Sequence, residues 1–483
     1  MPTINDLPDE LLIEVAKHLS SNRPSYTQNG LKSLCLVSRR FYRVAQDVFY
    51  RTPRLGNGRY DLAHRHQAHK LLRTVLSRPD LIKSVKTIRL VVFNRKAEYC
   101  LECANLSDSY EGCGCEWSEV LQPALQHIMG QAYCNPAWLE DLKADFPPAW
   151  AGLILSALPN LQHLEIDSFE SDWMDQCPEV DSHYLDAAWW CGKLEFPMES
   201  LSAFSKLKTI TTNCLLPWSI ITVPTLTNVH FALRDESKRE VPEAIKIPTS
   251  ATLTTLKSVV VDIDIRVLEL RMDLHMGLYG YFADLLKRII NLESLTVHLR
   301  EQPSFEDVEK FEGGKYANLT NLIHNGHLRV LEITAPKMSP TENYYSDQYA
   351  LDDLEISPPI DPCTSLANLP NLRYLKAPQD MIFYADSLAE PRDLPWNFPA
   401  SLRELDITDG NLALRGWVHH LATDRTKIAP NLEQLTTEGD SEMDDRLDPS
   451  EVNAIGSAEL RTMLEQAGIT WTCWARKRWV YKG

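Results

Sequence analysis

The 483-residue chain contains no run of eighteen or so consecutive apolar residues, which is the length that a transmembrane helix needs. Its first residues, Met1–Asp6, contain no basic segment followed by an apolar stretch, so we expect no secretory signal. The eleven cysteines, an odd number, are then expected to be reduced thiols rather than a disulfide framework. These features favour a protein of the cytoplasm or nucleus that does not bind a membrane.

Sequence signatures of catalysis are also missing. The chain has no Gly-x-Ser-x-Gly nucleophile elbow, no Gly-rich phosphate-binding loop and no His-Glu-x-x-His helix. Asp262 and Asp264 alternate and would share one face of a strand, but carboxylate pairs of this kind are common on sheet surfaces. The sequence therefore favours a protein that is not an enzyme and has no cofactor; an enzyme with a site in residues 97–200 is the least favoured alternative.

Basic residues are scarce outside the N-terminal region. The formal net charge is −17, yet residues 1–80 contain 13 Lys and Arg against 7 Asp and Glu, which leaves 36 against 59 in the remainder. Nucleic-acid binding relies on clustered Lys and Arg that neutralise phosphates. The acidic body therefore argues against a nucleic-acid partner.

The first fifty residues carry two apolar helical patterns. Residues 7–19 form the first, with Asp6 as its N-cap, and its apolar positions are Leu11, Leu12, Val15, Ala16 and Leu19. A loop is expected over residues 20–30, followed by a second helical stretch to Tyr50 with an interruption near Ser38. So small a unit cannot bury all these side chains, so some are expected to face a partner; the alternative is a helical hairpin that caps the following domain.

This segment resembles an F-box. The matching features are Leu7-Pro8-Asp9-Glu10-Leu11-Leu12 and the run from Leu31 to Ala45, which contains Leu-Val-Ser-Arg-Arg-Phe. Two features depart from the family: Phe41 stands where many F-boxes carry Trp, and the loop at residues 20–30 is long. The resemblance implies that the segment binds the Skp-type adaptor of an SCF ubiquitin ligase and, through it, a cullin. It implies adaptor contacts at Leu7, Pro8, Leu11, Ile13, Leu36, Val37, Arg39, Phe41 and Val44.

A pattern of leucines recurs through the rest of the chain, in the form Leu-x-x-Leu-x-Ile or a close variant. Its central leucines are Leu161, Leu207, Leu226, Leu256, Leu292, Leu328, Leu372, Leu402 and Leu432. Three copies begin with Pro-Asn-Leu, at residues 159–161, 370–372 and 430–432. Spaced leucines that each precede a short strand are typical of leucine-rich repeats, although the spacing here is irregular. The alternative is a set of unrelated amphipathic strands.

The predicted fold is α/β: a small N-terminal helical F-box followed by an irregular leucine-rich-repeat solenoid. The whole chain resembles fungal F-box proteins with degenerate leucine-rich repeats, and this resemblance includes the stretch from Arg78 to Leu90. The predicted domains are residues 1–52 (F-box), 53–96 (connecting helix and first repeat strand), 97–150 (a Cys-containing insertion) and 151–483 (repeats). A helix from Leu460 to Ala467, a turn at Gly468 and the segment from Ile469 to Trp474 are expected to cap the repeats.

The predicted insertion contains a cysteine cluster, Cys100, Cys103, Cys113 and Cys115. Its spacing is similar to that of zinc ligands, but the second pair is tighter than usual, so free thiols are favoured and no metal is expected.

Together these features predict a non-catalytic substrate receptor of an SCF-type ligase, in which the repeats bind an unidentified target protein. The alternative is an interaction scaffold that does not direct ubiquitination. Tryptophans such as Trp417 would either contact the target or fill gaps between irregular repeats.

Overall fold

The structure is a computed structural model that describes residues 4, 7–21, 27–55, 64–93, 117–129, 136–143, 147–169, 201–213, 215–216, 218–233, 252–264, 276–300, 326–334, 364–382, 398–410, 413–439 and 458–475. The chain divides into two compact units. The first comprises residues 1–230 with 242–246, and the second comprises residues 231–241 with 247–483. No helix in these described ranges is both long and apolar enough to cross a membrane.

The first unit begins with three helices, α1 (Asp9–Ser21), α2 (Thr27–Val37) and α3 (Arg39–Arg51). Their shared core contains Leu12, Ala16, Leu31, Phe41, Val44 and Val48. Ser38 separates α2 from α3, because its extended backbone and its hydroxyl, which accepts a hydrogen bond from the Phe41 amide at 3.2 Å, make it the N-cap of α3. The predicted interruption near Ser38 is confirmed, whereas the predicted loop is too long, since α2 already begins at Thr27.

A parallel sheet follows in the first unit, with its strands in chain order. The elements are β1 (Arg54–Leu55), α4 (His64–Ser77), α5 (Pro79–Ile82), β2 (Thr87–Phe93), α6 (Trp117–Met129), α7 (Pro136–Lys143), α8 (Pro147–Ser156), β3 (His163–Phe169), a 3₁₀ turn (Ser202–Ser205), β4 (Thr209–Thr212), α9 (Trp218–Ile221) and β5 (Asn228–Ala232). The division between the two units falls within β5. The predicted domain boundary at residue 150 falls inside α8.

The second unit also contains a parallel sheet with its strands in chain order. Its elements are β6 (Ser258–Asp264), α10 (Met276–Arg288), β7 (Ser294–Arg300), β8 (Val330–Thr334), a 3₁₀ turn (Thr364–Asn368), β9 (Tyr374–Pro378), α11 (Gln379–Ile382), β10 (Glu404–Gly410), α12 (Ala413–Ile428), β11 (Gln434–Gly439), α13 (Ala458–Gln466) and β12 (Thr470–Ala475). Trp417 on α12 is fully buried and packs edge-on against Phe398, at 6.4 Å between ring centroids. It therefore lies in the interior of the unit and is not an exposed contact for a target.

All nine central leucines of the sequence pattern are buried, each with at most 2% of its surface exposed. Each is followed, two residues later, by the first residue of a strand; for example, Leu328 precedes β8 at Val330 and Leu372 precedes β9 at Tyr374. The strands pair with the same phase, so that Leu331 in β8 lies beside Leu375 in β9 and Leu405 in β10. The recurring leucines therefore occupy equivalent positions along each sheet.

An asparagine immediately before the central leucine ties four of these units to the preceding one. The side-chain amides of Asn160, Asn291, Asn371 and Asn431 donate hydrogen bonds to the backbone carbonyls of Lys83, Thr254, Gly326 and Ala400. The distances lie between 2.6 and 3.0 Å. These bonds satisfy turn carbonyls that have no strand partner. They explain why asparagine recurs before the central leucine.

The last unit ends with a capped helix. The Ile469 amide donates to the carbonyl of Leu464 at 2.8 Å, across the turn at Gly468, whose φ is +75°. This is a Schellman arrangement, in which glycine adopts the left-handed conformation without steric penalty. Ile469 and Leu464 are both buried, so the turn brings β12 onto its own helix. The predicted helix and the predicted turn at Gly468 are confirmed.

Gly468→Ala is expected to lower the free energy of unfolding by about 1–2 kcal/mol, because an L-residue is strained in the left-handed region. The new Cβ would also lie 3.0 Å from Nη1 of Arg425. Urea denaturation of the wild type and the variant measures the effect. Gly280→Ala is the control, since Gly280 lies within α10 and a Cβ there would meet no atom within 4 Å. This substitution should be neutral or stabilising. Equal stability of the two variants would contradict the prediction.

Candidate functional site

The exposed apolar side chains of the described residues are concentrated at the N-terminus. Nine large apolar side chains are exposed in the described ranges, and seven of them lie between residues 4 and 42. We call these seven the outer apolar set: Ile4, Leu11, Val15, Leu19, Leu36, Val37 and Tyr42. So high a density of exposed apolar surface on three short helices is typical of an interaction site.

Helix α1 has apolar side chains on two faces. Leu12 and Ala16 are buried in the three-helix core, whereas Leu11, Val15 and Leu19 are 50%, 38% and 40% exposed. Residues four apart lie above one another on a helix, so the three exposed side chains form one stripe. The stripe is left without cover because the core uses only the neighbouring face of the helix.

The end of α2 carries the two most exposed members of the set. Leu36 is 88% exposed and Val37 is 64% exposed, and both directly precede the N-cap Ser38. Burial raises the pKa of the adjacent Cys35 thiol, so this side chain is neutral at physiological pH. The end of α2 therefore presents an uncharged apolar surface, and the turn at Ser38 fixes its direction.

An arginine holds the segment before α1 in place. Nη2 of Arg40 donates to the Leu7 carbonyl at 2.5 Å, and Nε donates to Oδ1 of Asp9 at 2.7 Å. Leu7 packs partly buried against the three-helix core, whereas Pro8 is exposed. The arginine thus ties the start of α1 to the start of α3 across 33 residues of sequence.

The nine predicted contact residues fall into three groups. Pro8, Leu11, Leu36, Val37 and Arg39 are exposed. Leu7 and Ile13 are half-buried and pack against the core, and Phe41 and Val44 are buried within it, 2% and 7% exposed. The predicted contact residues did not include Val15, Leu19 or Arg40. The spacing of Leu11, Val15 and Leu19 at i, i+4 and i+8 contained the signal for the stripe, whereas no local pattern indicates the contacts of Arg40.

Comparison with known sequence families bears on the same segment. Residues 4–55 match the family described as F-box-like. Residues 4–55 form an F-box-like domain. Such a domain indicates a role in binding the adaptor of an SCF-type ubiquitin ligase. A search of curated proteins finds no match to the chain.

The F-box-like domain runs directly into the first sheet. Its last strand, β1, pairs in parallel with β2, with Leu55 beside Leu90. Oδ1 of Asp47 in α3 accepts a hydrogen bond from the Ser84 hydroxyl at 2.6 Å, and the carbonyl of Arg51 accepts one from the Lys86 amide at 3.2 Å. Helix α3 is therefore bonded to the segment that leads into β2.

The described residues contain no group of three His, Cys, Asp or Glu side chains that could hold a metal ion. The cysteine cluster of the sequence analysis, Cys100, Cys103, Cys113 and Cys115, lies outside them.

One polar row crosses β6, β7 and β8: Nδ1 of His298 lies 2.7 Å from Oγ1 of Thr334, and Nε2 lies 4.0 Å from Oδ1 of Asp262. The distance to Asp262 exceeds that of a hydrogen bond, so the row lacks the contact by which a carboxylate orients a catalytic histidine.

Proposed function

We propose that this chain is the non-catalytic substrate receptor of an SCF-type ubiquitin ligase. The F-box-like domain binds a Skp-type adaptor, and through it a cullin, while the sheets that follow bind a target protein. The observation that carries the adaptor role is the outer apolar set, which leaves seven large apolar side chains in water on a domain of three helices. The match to the F-box-like family supports the same role.

The adaptor contact is an apolar face of helices set against a complementary surface. Pro8, Leu11, Leu36, Val37 and Arg39 contact the adaptor directly, and Val15 and Leu19 extend the contact along α1. The remaining predicted residues act indirectly, because Phe41 and Val44 hold α3 against α1, and Leu7 and Ile13 pack on that core. Burial of a fully exposed leucine or valine contributes roughly 1.5–3 kcal/mol, which corresponds to about one to two powers of ten in affinity for each such side chain.

The attachment of the domain fits a receptor that works by proximity. Helix α3 is bonded to the first sheet through Asp47, Arg51 and β1, so adaptor binding fixes the orientation of that sheet. A receptor contributes no bond-making group of its own; it raises the local concentration of the target near the enzyme that carries ubiquitin. We therefore assign the chain no catalytic role and no cofactor. The proposal implies that it acts in the cytoplasm or nucleus, together with its adaptor and cullin.

We also propose that the two sheets are irregular leucine-rich repeats of the kind found in fungal F-box proteins. The support is the recurrence of one unit: a buried central leucine, a strand that begins two residues later, and an asparagine tie to the preceding unit. Repeats of this kind stack so that each buries the apolar side of its neighbour, and their open strand faces bind proteins.

The receptor role is tested by the turnover of proteins that co-purify with the chain in cells. We expect at least one such protein to accumulate severalfold when the wild type is replaced by Leu36→Ala/Val37→Ala, because its path to the ligase is lost. The measurement is a pulse-chase with quantitative mass spectrometry, and Met129→Ala is the control. A variant that loses the adaptor but changes no partner's half-life would favour the scaffold function instead.

A further inference from the structure

Three arginines lie next to one another at the starts of three adjacent strands of the second unit. Arg329, Arg373 and Arg403 each directly follow a buried central leucine. The Arg373 amide donates to the Arg329 carbonyl at 2.8 Å, and the Arg403 amide donates to the Arg373 carbonyl at 2.9 Å. They are therefore direct neighbours at the starts of β8, β9 and β10, which are about 4.8 Å apart in a sheet. All three side chains are exposed.

Carboxylates form ion pairs with the two outer arginines of this row, and Glu404, which follows Arg403, lies beside Tyr374 in the strand register. Oε2 of Glu293 lies 3.7 Å from Nη1 of Arg329, and Arg403 is paired with Glu433. Nζ of Lys257 also lies 3.0 Å from Oε1 of Glu293. Lys257, together with Arg329, lowers the pKa of the Glu293 carboxyl. Arg373 makes no ion pair with any residue that the structure describes. The row thus keeps an unneutralised guanidinium between two partly neutralised ones.

Ion pairs with neighbouring strands account for Arg329 and Arg403, but stability of the sheet does not account for Arg373 between them. Like charges on directly neighbouring strands repel and destabilise a sheet. The chain has 66 acidic residues against 49 basic ones, so an acidic or neutral residue at position 373 would suit its overall composition. Glu293 and Glu433 occupy the equivalent position in their own units, which shows that the fold accepts a carboxylate there. An arginine that lowers stability and has no ion pair among the described residues, as at position 373, fits a role in binding.

We propose that the arginine row binds the acidic side chains of an extended segment of the target protein. The inference rests on the proposed function and names the chemistry of the segment that the receptor takes. A guanidinium presents its N–H groups as a planar fork that matches an oxyanion, and carboxylate and phosphate share this geometry. The outer arginines are two strand spacings apart, roughly 10 Å, which an extended peptide covers in about three residues. A segment with acidic residues at that spacing therefore fits the row.

The net charge of the chain decides between peptide and nucleic acid. A nucleic-acid strand carries regular phosphates beyond the row and would meet the acidic body of the chain, whose formal net charge is −17. A short acidic peptide needs only the local site, because charges farther away than about 8–10 Å are screened at physiological ionic strength. The site therefore favours a short anionic peptide.

The test is fluorescence anisotropy with the full chain and three labelled probes: a triglutamate peptide, a phosphoserine peptide of the same length, and a single-stranded DNA oligomer. We expect the wild type to bind the triglutamate peptide, and Arg373→Glu to weaken that binding at least tenfold. Arg461→Glu on α13 is the matched control, since it reverses an exposed arginine away from the row and should change the affinity less than twofold. Stronger binding of the phosphoserine peptide, lost equally in Arg373→Glu, identifies phosphate as the oxyanion.

Three further measurements distinguish a binding role of Arg373 from a structural one. Arg373→Lys keeps the charge and loses the fork, so it should weaken binding only partly. Thermal unfolding of Arg373→Glu should occur at the same or a higher temperature than the wild type, because like-charge repulsion is removed; a loss of both binding and stability would mean a structural role and overturn the proposal. No binding of either peptide, or tighter binding of the DNA, would also overturn it. Adaptor affinity, measured on the same samples, reports separately on the proposed function.

Discussion

Leu36→Ala/Val37→Ala is expected to weaken adaptor binding by at least about a hundredfold, with no loss of stability. The two side chains are 88% and 64% exposed at the end of α2, so the isolated chain gains little from them. Truncating both removes five buried carbon groups from the complex at roughly 0.8 kcal/mol each, which corresponds to two to three powers of ten in affinity. Alanine is the best helix former, so α2 itself should be retained or slightly strengthened.

The measurement is isothermal titration calorimetry of the purified chain with its Skp-type adaptor, together with urea denaturation of each variant. Met129→Ala and Ile290→Ala are matched controls, because these side chains are 60% and 45% exposed and lie outside the F-box-like domain. Both should bind the adaptor with wild-type affinity. Retention of full affinity by the double variant would remove the end of α2 from the interface and with it the main support for the adaptor role.

A second pair of variants separates the two faces of α1. Leu11 and Val15 lie on the exposed stripe, whereas Leu12 and Ala16 lie in the core. If substitution of Leu11 and Val15 abolishes adaptor binding and leaves the unfolding transition unchanged, the variant has lost contacts with the adaptor. Loss of binding after truncation of Leu12 or Phe41 would instead follow from disruption of the domain, since buried residues of this size contribute roughly 2–5 kcal/mol each. The comparison therefore tests whether Phe41 supports the interface from within the core.

The helices of the F-box-like domain could be predicted from their apolar spacing, but their packing could not. Sequence alone marks Leu11, Leu12, Val15, Ala16 and Leu19 as apolar at helical intervals, and it does not say which stripe faces the domain's own core. The packing of α2 and α3 determines which stripe is buried, because their apolar side chains cover Leu12 and Ala16 and leave the other stripe exposed. For the same reason Phe41 and Val44, predicted as contact residues, lie inside.

The repeated units were the more predictable part of the fold. A leucine that must be buried in every unit leaves a trace in each copy, and the asparagine tie leaves the Pro-Asn-Leu sequence as a second trace. Contacts between units of unequal length leave no such trace. The arginine row depends on which residues become neighbours across β8, β9 and β10, and the intervals of 44 and 30 residues between Arg329, Arg373 and Arg403 conceal that neighbourhood in the sequence.

Leu372→Ala is expected to lower the free energy of unfolding of the second unit by about 2–5 kcal/mol. Leu372 is fully buried two residues before β9, which pairs with β8 and β10, so we expect a cavity there to weaken the packing beneath this strand. In the proposed repeats the loss spreads to β8 and β10, because each unit is stabilised mainly by its neighbours. Its neighbour Asn371 provides a graded comparison: Asn371→Ala removes one exposed hydrogen bond to the Gly326 carbonyl and should cost only about 0.5–1.5 kcal/mol.

Hydrogen exchange followed by mass spectrometry measures both effects, since it resolves the opening free energy of peptides from β8, β9 and β10 even if the whole chain does not unfold in one step. We expect faster exchange in all three strands for Leu372→Ala and a smaller change for Asn371→Ala, while peptides from α1 to α3 exchange as in the wild type. Faster exchange confined to β9 would mean that neighbouring units do not stabilise one another, and the repeat proposal would fail. Stacking of these units, rather than the asparagine ties, is therefore expected to supply most of the stability of the second unit.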